Sequence, residues 1–369
     1  RREMVGMRVM SGIILLAAVT LTACGGPEER KAKYLAKANE YIDAANFPKA
    51  RGALRNVLKI DPKDAEAYYL FAQVEEKEKN WRNAVQLYQE AVRLVPDHAA
   101  ALITLAKYYL EARLTEQVVQ AADTVLKKDP RNPQASALKI AAQAVTEAAI
   151  PSVIPNAEAL AKEFPTDPDV AILLATLYGQ QRRYREAETT LRRALDSHPR
   201  DLDLLNNLSR ILTQANNMAG AEAVMRLMVA AEPTSIDHRV RLARFYVGQG
   251  AQNKAEAVLR EAIALDPNSE QRRIMLAELF VNTKDVAAAE QVLLDAAEQI
   301  PHSTHIQFGL SALYRKGGQD LKARQRYALL VKEYTDKPVG LEAKIKLAEM
   351  DFVEGKQVDA ERQVQEVLK

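Results

Sequence analysis

The sequence predicts an all-α fold, an α-solenoid of stacked helix pairs, and three observations predict it. Prolines stand at 62, 96, 130, 165, 199, 233, 267 and 301, with successive gaps of 34, 34, 35, 34, 34, 34 and 34. Each interval carries two helical patterns, and small residues recur at two fixed places within it. A fixed period of this length marks an array in which each unit packs only on its neighbours. Such an array grows linearly, which overrides the prior of two or three globular domains that 369 residues would suggest.

The chain begins with a leader. Arg8 precedes the apolar run Ile13-Ile14-Leu15-Leu16-Ala17-Ala18-Val19, which leads to Leu21-Thr22-Ala23-Cys24. A basic start, a short apolar stretch and small residues before a cut site describe a secretory signal. The run is well short of the roughly 20 residues of a membrane span. Leu-Thr-Ala-Cys resembles a bacterial lipobox, which implies lipidation of Cys24, the single cysteine, as the first residue of the mature chain. Several acyl chains anchor stably where one is marginal. The next residue is Gly25 and not the Asp that resembles an inner-membrane retention signal, so the outer membrane, facing the periplasm, is expected. Met7 or Met4 is the expected initiator. The expected boundaries are a signal peptide over 1–24, a tether over 25–30 and the array over 31–369.

With each proline as position 32, repeats begin at 31, 65, 99, 134, 168, 202, 236, 270 and 304. Position 8 is then Ala38, Ala72, Ala106, Ala141, Ala175, Ser209, Ala243, Ala277 and Ser311. Position 20 is Ala in seven repeats, with Val118 and Val153 in the third and fourth. Small residues at two fixed positions predict two close helix crossings per unit. Position 11 is Tyr41, Tyr109, Tyr178, Tyr246, Phe280 or Tyr314 in six repeats, predicting an aromatic wedge against the next unit. Pro after Asp, as in Leu58-Lys59-Ile60-Asp61-Pro62, ends one helix and suits the start of the next.

These positions resemble the tetratricopeptide repeat over about residues 31 to 369. The resemblance implies nine to ten helix-turn-helix repeats in a right-handed superhelix with a concave groove lined by positions 2, 5, 9 and 12 of each first helix. Two places depart from the pattern. In repeat four, Glu147-Ala148-Ala149-Ile150-Pro151-Ser152-Val153-Ile154-Pro155 brings two prolines and one extra residue, predicting a distorted turn and a shortened second helix. The ninth junction, Tyr334-Thr335-Asp336-Lys337-Pro338, is loosened by about three residues, and a tenth repeat begins near Leu341. That repeat stops at Lys369 before a closing Asp-Pro or a polar cap, so a longer parent chain is expected.

Lys+Arg of 51 against Asp+Glu of 49 leaves +2, so no net field favours nucleic acid. No phosphate-cradling Gly-rich loop and no H-E-x-x-H spacing occurs, and the five histidines are scattered. No enzyme activity, cofactor or metal is expected. The pair Glu75-Glu76 lies in a helix dense in charge and reads as a solvated face. Phe47, Trp81 and Tyr184, all at position 17, read as packing. Asp169, Asp203 and Asp237, all at position 2, read as helix-start caps.

The candidate binding residues are Asn206, Asn207, Arg210, Arg241 and Arg244, in repeats six and seven. Arg241 and Arg244 are three apart and share a helical face. Asn207 and Arg241 resemble two positions of a carboxylate clamp, while Ile172, Thr176 and Asp237 stand where the others require basic or amide residues. What is expected is a polar, basic stretch of groove able to fork onto carboxylates or acidic sugars. The competing expectation is that these arginines pair with Asp203 and Asp237. Leu21 to Cys24 followed by Asn46-Phe47-Pro48-Lys49-Ala50 and Leu58-Lys59-Ile60-Asp61-Pro62 resembles the repeat lipoproteins of exosortase (PEP-CTERM) and exopolysaccharide export systems. That implies a lipid-anchored periplasmic scaffold with a protein or peptide partner in the groove. A pilus or secretion pilotin, and the repeat region of a longer cell-envelope enzyme, are the alternatives.

Overall fold

The computed structural model describes residues 26–368 except 284 and 336. The leader, Cys24 and Gly25 lie outside the described residues. Among those described there are twenty α-helices and no strand. They form hairpin pairs: α1 (Pro27–Asp43) with α2 (Phe47–Ile60), α3 (Ala65–Lys77) with α4 (Trp81–Leu94), and α5 (Ala99–Glu111) with α6 (Thr115–Lys128). Next come α7 (Pro133–Gln143) with α8 (Ile150–Glu163) and α9 (Pro168–Gln180) with α10 (Tyr184–Ser197). After these follow α11 (Leu202–Gln214) with α12 (Met218–Ala231), α13 (Ile236–Gly248) with α14 (Gln252–Leu265), and α15 (Glu270–Asn282) with α16 (Val286–Gln299). The last are α17 (Thr304–Lys316) with α18 (Asp320–Glu333) and α19 (Pro338–Val353) with α20 (Gln357–Val367). The chain is an all-α α-solenoid. It divides into two compact units, the first ending at Ser197 and the second starting at His198.

One turn chemistry recurs. Position 15 is left-handed at Ala45, Lys79, Arg113, Arg182, Asn216, Gly250, Gly318 and Gly355, with φ between 52 and 82°. That conformation brings the N–H of position 16 back onto the carbonyl of position 11, as in Asn46→Tyr41 at 2.7 Å and Ala251→Tyr246 at 2.9 Å. The carbonyls orphaned at the helix end are thereby satisfied. The first helices start on side-chain caps one residue before position 1. Asp64, Asp167 and Asp201 accept from the N–H groups of Ala67, Val170 and Leu204 at 2.8, 3.0 and 2.9 Å. The capping role expected of Asp169 and Asp203 therefore falls to the residues two positions earlier. Asp169, Asp203 and Asp237 sit in the first turn, where their charge still favours the helix dipole.

The core follows the small-residue register. Ala38, Ala72, Ala106 and Ala243 at position 8, and Ala50, Ala84, Ala187, Ala221, Ala255 and Ala289 at position 20, are all 0% exposed. With no side chain beyond Cβ, the paired helices approach closely, and Leu54, Leu191 and Leu259 fill the spaces beside them.

Three expectations are corrected. Helix α1 starts at Pro27, so most of the expected tether is its first turn, with proline at the N-terminus and Glu28 and Glu29 behind it. In repeat four the shortened helix is the first, α7 at 11 residues, and α8 keeps 14 despite an internal Pro155. Pro151 sits in the first turn of α8, where no N–H is needed, and a 3-10 turn over Glu147–Ala149 absorbs the extra residue. Helix α7 packs more closely on α6 than on its own partner α8. Lys107 of α5 pairs with Asp169 of α9, at 2.7 Å. In the tenth repeat α19 begins at Pro338, a turn before Leu341. Gly340 lies against the Tyr334 carbonyl, where a Cβ would overlap it.

Candidate docking site on α11 and α13

The candidate residues lie on α11 and α13, the first helices of repeats six and seven. On α11, Asn207 donates its amide Nδ2 to the Asp203 carbonyl at 2.9 Å, and its Oδ1 accepts from Arg210 Nη2 at 3.0 Å. Burial pushes the Arg210 pKa down from its ordinary value, although much of the side chain stays in contact with solvent. An arginine keeps its charge through such a shift. Arg241 of α13 donates Nη1 to the side-chain oxygen of Asn206 on α11. Arg244, one turn further along α13, is exposed and has no ion-pair partner among the described residues. Asp237 stands exposed at the start of the same helix.

The five candidates thus form two linked groups: Arg241 with Asn206 between helices, and Arg210 with Asn207 within α11. The competing expectation fails for Arg241, whose partner is a neutral amide and not Asp203 or Asp237. A guanidinium held by an amide oxygen is oriented but not neutralised. The arrangement can accept a carboxylate or another planar oxyanion through charge-assisted hydrogen bonds.

In the first unit, the pair Glu75-Glu76 is not a solvated face. Glu75 is 6% exposed and bonded to Arg51 Nε at 2.8 Å and Asn80 Nδ2 at 3.0 Å. Glu76 accepts from the hydroxyls of Tyr88 and Tyr108, both at 2.7 Å. Burial pushes both tyrosine pKa values well up, and the bonds to Glu76 add to it. Both therefore remain protonated donors, and the cluster is a fixed hydrogen-bond triad, not an acid–base pair. The sequence signal was present, because Glu75 occupies the position that is aromatic in six other repeats. Trp81 also departs from expectation: at 52% exposed it does not pack, whereas Phe47 joins the core of the first repeat pair.

Among the described residues no group of three or more His, Cys, Asp or Glu is placed to hold a metal ion. No single described helix is long and apolar enough to cross a membrane. The α7–α8 hairpin passes on composition, but it bends by 119° and buries Ala135, Leu138, Ile150 and Val153 within the array.

Two family models, both described as tetratricopeptide repeat, match residues 35–99 and 172–236, and residues 75–142 and 246–307. No curated protein matches the chain. Among solved structures, a tetratricopeptide repeat protein from Parabacteroides merdae ATCC 43184 is 16% identical, with 69% of this chain and 99% of that one covered and a TM-score of 0.44. The APC/C hetero-tetramer Cut9-Hcn1 is 18% identical, covering 79% and 57%, at 0.45. Pseudomonas aeruginosa pilF is 17% identical, covering 69% and 100%, at 0.36. These three likenesses are too distant to carry an argument. The family matches together cover more than half of the sequence, in the same register as the helix pairs, and the chain belongs to the tetratricopeptide repeat family.

Proposed function

We propose that this chain is a non-catalytic docking scaffold whose α11–α13 face receives an acidic segment of a protein partner. Repeats of this family bind protein partners, which supports the scaffold part. One observation carries the site: Arg241 is held in place by the neutral Asn206 amide, so its charge is available to a ligand. Arg210 and Arg244 extend the same positive face. The test is recovery of partners by a tagged chain and by its Arg210→Ala/Arg241→Ala/Arg244→Ala variant, with circular dichroism as the fold control. Loss of a partner from the folded variant supports the site; unchanged recovery overturns it.

The setting is the second part of the proposal. Leu21-Thr22-Ala23-Cys24 supports a lipid anchor at Cys24 and an outer-membrane position facing the periplasm, with a role in exopolysaccharide export or exosortase-linked sorting of surface proteins. Cys24→Ser then shifts the protein from the membrane pellet to the soluble periplasmic fraction. A variant that stays in the pellet like the parent contradicts the anchor.

A further inference from the structure

A second basic feature lies in the first unit, where its cations are carried by the second helices α8 and α10. Helices α8 and α10 flank a trough over α9 with a cavity of about 350 Å³, lined by Ala161, Lys162, Leu174, Tyr178, Arg185 and Arg193 among others. Arg185, Thr189 and Arg193 follow one another at intervals of four along α10, so they stand on one stripe about 12 Å long. Lys162 adds a third cation from α8.

The two carboxylates of the trough are already engaged. Glu158 accepts from the Tyr178 hydroxyl at 2.7 Å and lies 3.7 Å from Arg183 Nη2. Glu186 pairs with Arg183 Nε at 3.0 Å, and that guanidinium sits 4.2 Å over the Tyr178 ring. Thr189 and Thr190 donate their hydroxyls to the backbone carbonyls of Arg185 and Glu186 at 2.8 Å. Arg185, Arg193 and Lys162 are exposed, and none is in an ion pair among the described residues. The trough therefore offers three unpaired cationic side chains over an apolar floor of Ala161 and Leu174, while its two carboxylates share Arg183 and the Tyr178 hydroxyl.

From this arrangement we infer a binding site for a small ring-bearing oxyanion, a sugar acid or a sugar phosphate. The arginine forks grip the planar or tetrahedral oxyanion, and the apolar floor takes the C–H face of the ring. The volume is at the lower end of small-molecule sites, which run from about 300 Å³ upward. Carboxylate and phosphate share the recognition chemistry, and the titration separates them.

The full chain is titrated at low salt with glucuronate, glucose 6-phosphate, glucose and inorganic phosphate, following the arginine Nε–H resonances by NMR. At least one charged sugar is expected to give saturable shifts at Arg185 and Arg193. Glucose gives none, and inorganic phosphate, which lacks the ring, binds more weakly than the charged sugar. The tighter of the two charged sugars identifies the oxyanion. Arg185→Gln/Arg193→Gln, which removes both guanidinium charges but keeps polar side chains, weakens binding about tenfold or more. Arg192→Gln is the control, because Arg192 on the same helix is paired with Glu188 at 2.9 Å and faces away from the trough lining. Four results overturn the inference: no saturable response, equal binding of glucose, inorganic phosphate as tight as the charged sugars, or an unaffected double variant. Saturable binding of polyaspartate with none by the sugars also overturns it, in favour of an acidic peptide.

Discussion

At the junction of the first and second repeats, position 21 is Arg51 and position 11 of the next repeat is Glu75. At the junction of the sixth and seventh, the same two positions are Glu222 and Tyr246. In the first case Arg51 grips Glu75 at 2.8 Å and also pairs with Glu78. In the second, Glu222 accepts from the Tyr246 hydroxyl at 3.1 Å and from Lys254, at position 19, at 3.0 Å. Among the described residues each arrangement occurs twice. Arg324 of α18 pairs with Asp351 at 2.8 Å and Glu354 at 2.9 Å, repeating the first, and Glu290 with Tyr314 and Lys322 repeats the second. Where position 11 is Phe280, Glu256 at position 21 turns to Arg260 of its own helix, at 2.9 Å. One seam between neighbouring repeats therefore carries two charge patterns of opposite sense. At these four junctions the residues at the two positions match each other, although the residue types differ.

The largest effect of a simple truncation comes from breaking the pair that is more deeply buried. Arg51→Ala leaves the Glu75 carboxylate buried without its cation. The expected loss is about 3 kcal/mol, the low end for a buried pair because Arg51 is still partly exposed. Denaturant unfolding of the first unit measures it. The pH dependence gives a sharper sign. Burial works to raise the Glu75 pKa, but the bonds from Arg51 and Asn80 outweigh it, and the net shift is downward from the ordinary 4.5. That contribution is complete above about pH 4.5 and is lost as pH falls through the lower folded value. Without Arg51, burial dominates and the sign reverses, so the variant is expected to regain stability on mild acidification. A variant that keeps the parental acid response would show that Arg51 does not set the Glu75 charge.

A transplant tests the matching idea more directly. Arg51→Glu/Glu75→Tyr/Asn83→Lys places the Glu–Tyr–Lys set at the first junction, with position 19 supplying the lysine. Arg51→Glu alone opposes two carboxylates and is expected to be worse than Arg51→Ala. The triple variant is expected to recover most of that loss, with a residual of about 1 kcal/mol from imperfect packing. Additive losses in the triple variant would mean that the two patterns are not interchangeable.

The smallest effect is expected at the second kind of junction. Tyr246→Phe removes one hydroxyl, while Lys254 and Arg226 still hold Glu222, at 3.0 and 2.8 Å. A loss of about 1 kcal/mol or less is expected in thermal unfolding. A loss equal to that of Arg51→Ala would erase the distinction between the two junctions.

The helix register was legible because prolines, small residues and position-11 aromatics are each tied to one local requirement: a helix start, a close crossing and a wedge. All three can be read without knowing what lies across the seam. Glu75 and Asp351 were not legible in this way. A carboxylate at an aromatic position makes sense only beside its arginine, 24 or 27 residues earlier, and that pairing exists only once the repeats stack. Repeat four was half legible. Its prolines and extra residue flagged a distortion, but placing it in α7 depended on the ability of α8 to carry Pro151 in its first turn. At the candidate docking site the residues could be named from their positions. Whether Arg241 met an aspartate or Asn206 depended on the spacing of α11 and α13, which no local pattern encodes.

On the proposed function, the α11–α13 face recognises acidic chain segments, with Arg241 oriented but not neutralised by the Asn206 amide. Fluorescence anisotropy with a labelled acidic peptide, its neutral amide counterpart and the purified chain tests this directly. The acidic peptide is expected to bind, to weaken with salt, and to lose about tenfold or more in affinity against the folded Arg210→Ala/Arg241→Ala/Arg244→Ala variant. Equal binding of the neutral peptide, or unchanged affinity in that variant, would contradict it.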